Sequence, residues 1–196
     1  MKVKICGLKT KEHVDVAVAH GADYLGFVFA ESKRQITPEK AKKITKDVPK
    51  KVKKVGVFVS PTQSEVEETI QQAGLDMVQI HGSLAAAAFS VPLIRAIPVI
   101  EVGLEKKIKD TTAEFLLFDA PPKRFVGGNG EVFDWQKLDT RFIKNKKIII
   151  AGGLTSENVQ KAKQIFDPYA VDVSSGVETN GVKDPKKIIA FLKKAI

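Results

Sequence analysis

The segment Ala170-Val171-Asp172-Val173-Ser174-Ser175-Gly176-Val177-Glu178 carries two signals at once. Ala170, Val171 and Val173 make a short apolar run of the kind buried in a parallel sheet. That run passes straight into Ser174, Ser175 and Gly176. One unit upstream, Ile148 to Ala151 is a second apolar run, closed by Gly152-Gly153-Leu154-Thr155. Two strands that each end in glycine and hydroxyl residues, each followed by a helix, suit an anion. Small residues let backbone N–H groups converge, and a helix N-terminus adds positive potential. A phosphate held by Gly152, Gly153, Ser174 and Ser175 would fix one end of a substrate.

Upstream the same unit recurs. Lys2 to Cys6 reads as a first strand, and Thr10 caps a helix with Val14, Ala17 and Val18 on its apolar side, stopped by Gly21. Tyr24 to Phe29 is a second strand, and Thr37-Pro38-Glu39 a helix start, with a hydroxyl at the N-cap and proline at the first helical position. Val55 to Val59 is a third strand, with a helix over Ser64 to Ala73 ended by Gly74. Met77 to Ile80 is a fourth, closed by His81-Gly82, and Leu84 to Phe89 reads as a short alanine-rich helix. Leu93 to Ile100 is a fifth strand, interrupted near Pro98, followed by a short helix over Leu104 to Ile108. Phe115 to Phe118 is a sixth, ending at Asp119. Ala120 to Val132 is irregular, and Asp134 starts the next helix. Lys147 to Ala151 is the seventh strand, with its helix over Thr155 to Ile165; the opening segment is the eighth, and Asp184-Pro185 caps a last helix.

Strand–helix alternation implies parallel strands with right-handed crossovers. Eight such units fit a closed α/β barrel, the (β/α)8 or TIM barrel, spanning residues 1–196 as one compact domain. An open doubly wound sheet would show fewer units and a glycine-rich first turn, whereas the turn here is Cys6-Gly7-Leu8.

Composition narrows the class. The 196 residues are 43% hydrophobic and 28% charged, a globular balance. No apolar run approaches the roughly 20 residues of a membrane span, the first residues do not read as a secretory signal, and a single cysteine makes no internal disulfide. The expectation is a cytoplasmic protein, with no membrane partner. The net charge of +9 raises nucleic acid as a ligand, but the lysines are scattered over helices and loops without interleaved aromatics. Solvated helix faces, or a field that steers a small anion, account for them better.

In a barrel the working face is the rim at the strands' C-terminal ends. Register places there Cys6, Arg34, His81, Asp119, the loop from Gly127 to Asp134, Gly152-Gly153 and Asp172 to Gly176. Taken singly these residues have plain readings. Cys6 alone is a small buried hydrophobe, Asp134 alone an N-cap before Trp135, Arg34 alone a surface arginine, and His81 a packing or hydrogen-bonding residue. Asp119 and Asp172 could orient other rim groups.

Taken together they resemble a known family. Lys4-Ile5-Cys6-Gly7-Leu8, Gly26-Phe27-Val28-Phe29 with Ser32-Lys33-Arg34, and Gly56-Val57-Phe58-Val59 carry the likeness. So do Val78-Gln79-Ile80-His81-Gly82, Gly127-Gly128-Asn129-Gly130 with Phe133-Asp134-Trp135, Ala151-Gly152-Gly153-Leu154 and Val171 to Glu178. The series, in this order over nearly the whole chain, is similar to phosphoribosylanthranilate isomerases of tryptophan biosynthesis.

The resemblance implies an Amadori rearrangement of N-(5'-phosphoribosyl)anthranilate, without cofactor or metal, on a phosphorylated small molecule. It implies Cys6 as general base, Asp134 as general acid, and Arg34 as the clamp on the anthranilate moiety. His81, Gly128 and Asp172 join Arg34 as substrate-binding positions, with phosphate on the loops after the seventh and eighth strands. Acid and base would face one another across the mouth. A monomer is expected, with a dimer as the alternative.

Two rival readings remain. Another phosphate-binding barrel enzyme is one: an indole-glycerol-phosphate synthase would want a lysine acid at a strand end, and a sugar-phosphate epimerase a metal with rim histidines. The other is a non-catalytic phosphosugar- or nucleic-acid-binding protein. Of three histidines, His13 and His20 fall on the first helix.

Overall fold

A computed structural model describes residues 1–84, 88–99, 104–119, 143 and 145–196. Eight parallel strands close into a barrel in sequence order: β1 (Lys2–Cys6), β2 (Tyr24–Val28), β3 (Lys53–Val59), β4 (Met77–His81), β5 (Leu93–Pro98), β6 (Phe115–Asp119), β7 (Lys147–Ile150) and β8 (Ala170–Val173). The seam between β8 and β1 pairs Lys2 with Ala170 and Lys4 with Asp172. Helices α1 (Lys11–Ala19), α2 (Pro38–Ile44), α3 (Gln63–Ala73), α4 (Leu104–Asp110), α5 (Val159–Phe166) and α6 (Pro185–Ala195) follow strands 1, 2, 3, 5, 7 and 8.

The helix starts have local causes. Thr10, Thr37 and Thr62 each accept a backbone N–H in the first turn, and Thr62 with Glu65 forms a reciprocal capping box. Asp184 accepts from the backbone N–H of Lys186 and Lys187 at the head of α6, with Pro185 beside it. Helix α5 begins four residues later than the sequence pattern predicts. Thr155 to Asn158 are spent on a turn in which Asn158 Oδ1 accepts the Thr155 N–H at 2.8 Å, and Asn158 becomes the N-cap. Leu84, Ala88 and Phe89 are not helical, and Ala85–Ala87 lie outside the described residues. Strand β5 ends at Pro98; Ile100 also lies outside.

Alternation along the strands builds two apolar layers. Val3, Ile5, Leu25, Phe27, Val78, Ile80, Leu116, Phe118, Val171 and Val173 face the helices. Tyr24, Val55, Met77, Ile94, Phe115, Leu117, Ile149 and Ala170 fill the barrel itself. Phe115 meets Tyr169 edge-on at 5.7 Å, and the Tyr24 and Tyr169 hydroxyls hydrogen-bond at 2.9 Å. The interior is therefore packed at one end, leaving the strands' C-terminal ends for chemistry. No described helix is long and apolar enough to cross a membrane.

One short element was not anticipated. After β8 comes a 3-10 turn over Ser175–Val177, then a hairpin of β9 (Glu178–Thr179) and β10 (Val182–Lys183). Asn180 and Gly181 turn it with φ of 52° and 78°, the positive values of a type I′ turn. That register sets Lys183 directly opposite Glu178.

Candidate active site

Strand alternation places Lys4 and Cys6 on the inside of β1, two residues apart. Cys6, the last residue of the strand, is 6% exposed; Lys4, one tier below, is wholly buried. A buried ammonium needs a partner, and the closure of the barrel supplies one. Lys4 Nζ donates to Asp172 Oδ2 at 3.0 Å across the β1–β8 seam. Burial works against the Lys4 charge, but the charges and hydrogen bonds of Asp172 and Cys6 outweigh it and hold its pKa above the ordinary value. The second carboxylate oxygen, Asp172 Oδ1, is buried with no hydrogen-bond partner among the described residues.

Burial pushes the Cys6 thiol up, and the Asp172 charge adds to that; the Lys4 ammonium is the strongest influence pulling it down, with Lys183 a weaker one. Gly26 on β2 makes room for this pair. A Cβ there would stand 2.8 Å from Cys6 Sγ and 3.1 Å from Lys4 Nζ, so thiol and ammonium occupy the space over one bare Cα.

His81 ends β4, where its Nε2 hydrogen-bonds the Gln79 amide nitrogen at 2.7 Å. Burial and then the Lys4 charge lower its pKa to about 4, so the ring is neutral near pH 7. Asp119, at the end of β6, is raised to about 6 by burial and by the Asp172 charge, with Lys4 opposing.

A second cluster stands beside Cys6. Gly7 takes φ of +81°, and a Cβ there would lie 2.6 Å from Arg34 Cδ, so the arginine stem crosses the chain directly after the cysteine. The Arg34 guanidinium donates to Glu178 through Nε at 2.6 Å to Oε1 and through Nη2 at 2.8 Å to Oε2, a bidentate fork. Lys183 Nζ donates to the same Glu178 Oε1 at 2.6 Å and to the Ser174 carbonyl at 2.9 Å. Burial alone would raise the Glu178 pKa, but hydrogen bonds from Arg34 and Lys183 hold it down at about 2. Ser174 Oγ in turn donates to the Cys6 carbonyl at 3.2 Å.

The loops after β7 and β8 lock together. A Cβ on Gly176 would land on the Leu154 carbonyl oxygen, so only glycine lets the two loops touch. Gly152 and Gly153 both have positive φ, 83° and 66°, and nothing stands within 4 Å of where a Gly153 Cβ would project. Ser175 is exposed and opens the turn after β8.

Cys6, Arg34, Asp172 and Ser174 thus come together around the end of β1, with Gly152, Gly153 and Ser175 on the adjoining loops and His81 at the end of β4. Asp134 and Gly128 lie outside the described residues. Sequence reasoning missed Lys4, Gln79, Glu178 and Lys183 as parts of this face. The signal for Lys4 was its period-two relation to Cys6 on a buried strand. For the other charged pair it was Asn180-Gly181 flanked by Glu178 and Lys183. No lysine was expected near a strand end, yet Lys4 sits in the barrel; its full burial and its bond to Asp172 separate it from a lysine that reaches substrate.

A thiol, a neutral imidazole, buried carboxylates and an arginine fork at the carboxyl ends of eight closed parallel strands define a single-chain barrel enzyme of the (β/α)8 class. Comparison with known proteins sharpens this. The sequence model for N-(5'-phosphoribosyl)anthranilate (PRA) isomerase matches residues 3–194. The N-(5'-phosphoribosyl)anthranilate isomerase of Streptococcus mutans is 54% identical over 98% of this chain and 97% of its own. The structure of phosphoribosyl anthranilate isomerase from Thermotoga maritima superposes with a TM-score of 0.87 at 33% identity, covering 100% of this chain and 98% of the other. A phosphoribosyl anthranilate isomerase in complex with reduced 1-(o-carboxyphenylamino)-1-deoxyribulose 5-phosphate gives 0.85 at 34%, with the same coverage. The chain belongs to the N-(5'-phosphoribosyl)anthranilate isomerase family, and it is an isomerase of tryptophan biosynthesis.

Proposed function

We propose that the chain converts N-(5'-phosphoribosyl)anthranilate to 1-(o-carboxyphenylamino)-1-deoxyribulose 5-phosphate with Cys6 as general base and Asp134 as general acid. The observation that carries the base assignment is the position of Cys6. It is the chain's one thiol, at the C-terminal end of β1, between the buried Lys4 ammonium and the Arg34 stem.

The reaction begins at the sugar ring. A carboxylic acid, Asp134, gives its proton to the ring oxygen as the C1′–O bond breaks, and the nitrogen lone pair closes a C=N bond to C1′. The resulting iminium makes the C2′ proton acidic. The Cys6 thiolate takes that proton, the electron pair moves into C1′=C2′, and nitrogen regains its lone pair. Tautomerisation of the enaminol then gives the aminoketose. The iminium cation offsets the burial that holds Cys6 in its thiol form, so the base is strongest where it is needed.

The remaining positions serve binding. The phosphate sits on Gly152, Gly153, Ser174 and Ser175, where two glycines take positive φ and Gly153 faces open space. With Nε and Nη2 committed to Glu178, Arg34 turns its Nη1 edge to the anthranilate carboxylate. His81, held neutral, donates or accepts without adding charge, and Gly128 is the further substrate-binding position of this reading. Asp172 acts on the substrate end of the site through Lys4. The protein acts in the cytoplasm. We take it as a monomer, a dimer being the alternative, since the described exposed large hydrophobics (Val59, Ile165, Val182 and Ile196) are scattered over separate elements.

Loss of the substrate's anthranilate fluorescence gives the assay. Cys6→Ala and Asp134→Asn should each lower kcat by about 10²–10⁴-fold. Near-normal kcat in either variant overturns that residue's assignment.

A further inference from the structure

We infer that Lys4 is a positioning residue for the reaction: from inside the barrel its ammonium favours ionisation of the Cys6 thiol at the mouth, while Asp172 anchors the ammonium in place. The inference rests on the reading of Cys6 as the base, and it gives work to a buried pair that the proton transfers do not use.

A lysine with no exposed surface is costly to keep unless something requires it. A barrel interior is ordinarily filled with apolar side chains, and the tiers below this one follow that rule, from Ile94 and Leu117 down to Tyr24 and Phe115. Lys4 breaks it one tier beneath the thiol. Three features of the surrounding structure are spent on it. The β1–β8 seam pairs its backbone with Asp172, so the carboxylate meets the ammonium at 3.0 Å. Gly26 leaves the space that ammonium and thiol share. Asp172 keeps one oxygen, Oδ1, buried and without a partner among the described residues, an arrangement that a purely structural ion pair would not favour.

The charged groups that act on Cys6 come from four places in the described chain: Lys4 on β1, Asp172 on β8, Lys183 on β10 and Arg34 after β2. Glu178 ties up both Arg34 and Lys183 through its carboxylate. Lys4 is left as the strongest cationic influence on the sulfur, and its own partner Asp172 works in the opposite sense on the thiol. The pair therefore makes an opposite-sign prediction. Removing the cation must make the thiolate harder to form, and removing the anion must make it easier, because Lys4 then has only the sulfur to neutralise. A role confined to packing would shift both variants the same way or neither.

The test needs no substrate. Cys6 is the only cysteine, so the ultraviolet absorbance of its thiolate can be titrated in the whole protein, with Cys6→Ser as the blank. Lys4→Met should move the thiol midpoint up by about one pH unit or more, and Asp172→Asn should move it down by a similar amount. Asp172→Asn keeps the shape of the site and answers alone if Lys4→Met fails to fold. An unmoved midpoint in Asp172→Asn, or a shift upward in it, overturns the inference. Because this readout is independent of turnover, it can fail while Cys6→Ala still abolishes activity, and the two failures are told apart.

Discussion

Glu178 offers the sharpest test of the charge network, because it is one carboxylate against two cations. Its side chain is 5% exposed and accepts from Arg34 at 2.6 and 2.8 Å and from Lys183 at 2.6 Å. Depression of its pKa from the ordinary 4.5 to about 2 corresponds to ~3 kcal/mol of folding free energy at neutral pH. The Arg34 side chain is 23% exposed, so water screens part of that, and we expect about 2–3 kcal/mol from Glu178→Gln. The sign follows from the depressed pKa. The folded state binds this proton more weakly than the unfolded chain does, so the stabilisation is present above the unfolded value of 4.5 and fades as pH falls towards 2. At pH 3 about 1 kcal/mol should remain. Urea unfolding of wild type and Glu178→Gln at pH 7 and pH 3 measures both numbers. All other carboxylates titrate equally in the two proteins, so the difference isolates this one. A penalty under about 0.5 kcal/mol at pH 7, or one that does not shrink on acidification, would refute the reasoning.

Gly176→Ala would set a methyl group on the Leu154 carbonyl, and since backbone cannot yield as a flexible side chain does, the loops after β7 and β8 must separate. A loss of roughly 1–3 kcal/mol in unfolding free energy is expected, together with a raised KM; a variant unchanged in both measures contradicts the close contact. For His81, proton NMR of the ring should give a midpoint of about 4, because burial and the Lys4 charge both resist protonation. A midpoint near the ordinary 6.5 would show the ring open to water, and Lys4→Met should move it upward.

The barrel was legible in the sequence because its evidence is local. Threonine caps, proline at the first helical position and short apolar runs are each settled within a few residues, and eight of them in alternation leave little else to build. Where local chemistry competes with itself the reading slipped, as at Thr155 to Asn158, where a side-chain turn displaced the first turn of α5. Of the expected site residues that the described structure brings together, Cys6, Asp172 and Ser174 sit at or beside strand ends, where register places them, and Arg34 lies on the loop after β2. Lys4 did not come through for a physical reason. A lysine in a strand of five residues reads as solvent-facing, and only closure of the barrel, 168 residues later in the chain, brings the carboxylate that makes its burial tolerable. Arg34 and Glu178 follow the same logic over 144 residues, whereas Lys183 meets Glu178 across the β9–β10 hairpin. The buried charge of Lys4 is thus a consequence of the fold that only the closed ring creates, held by a partner that is useless to it until β8 meets β1. It follows that Lys4 depends on the closed ring: a chain that fails to seat β8 loses the carboxylate that makes its buried ammonium tolerable.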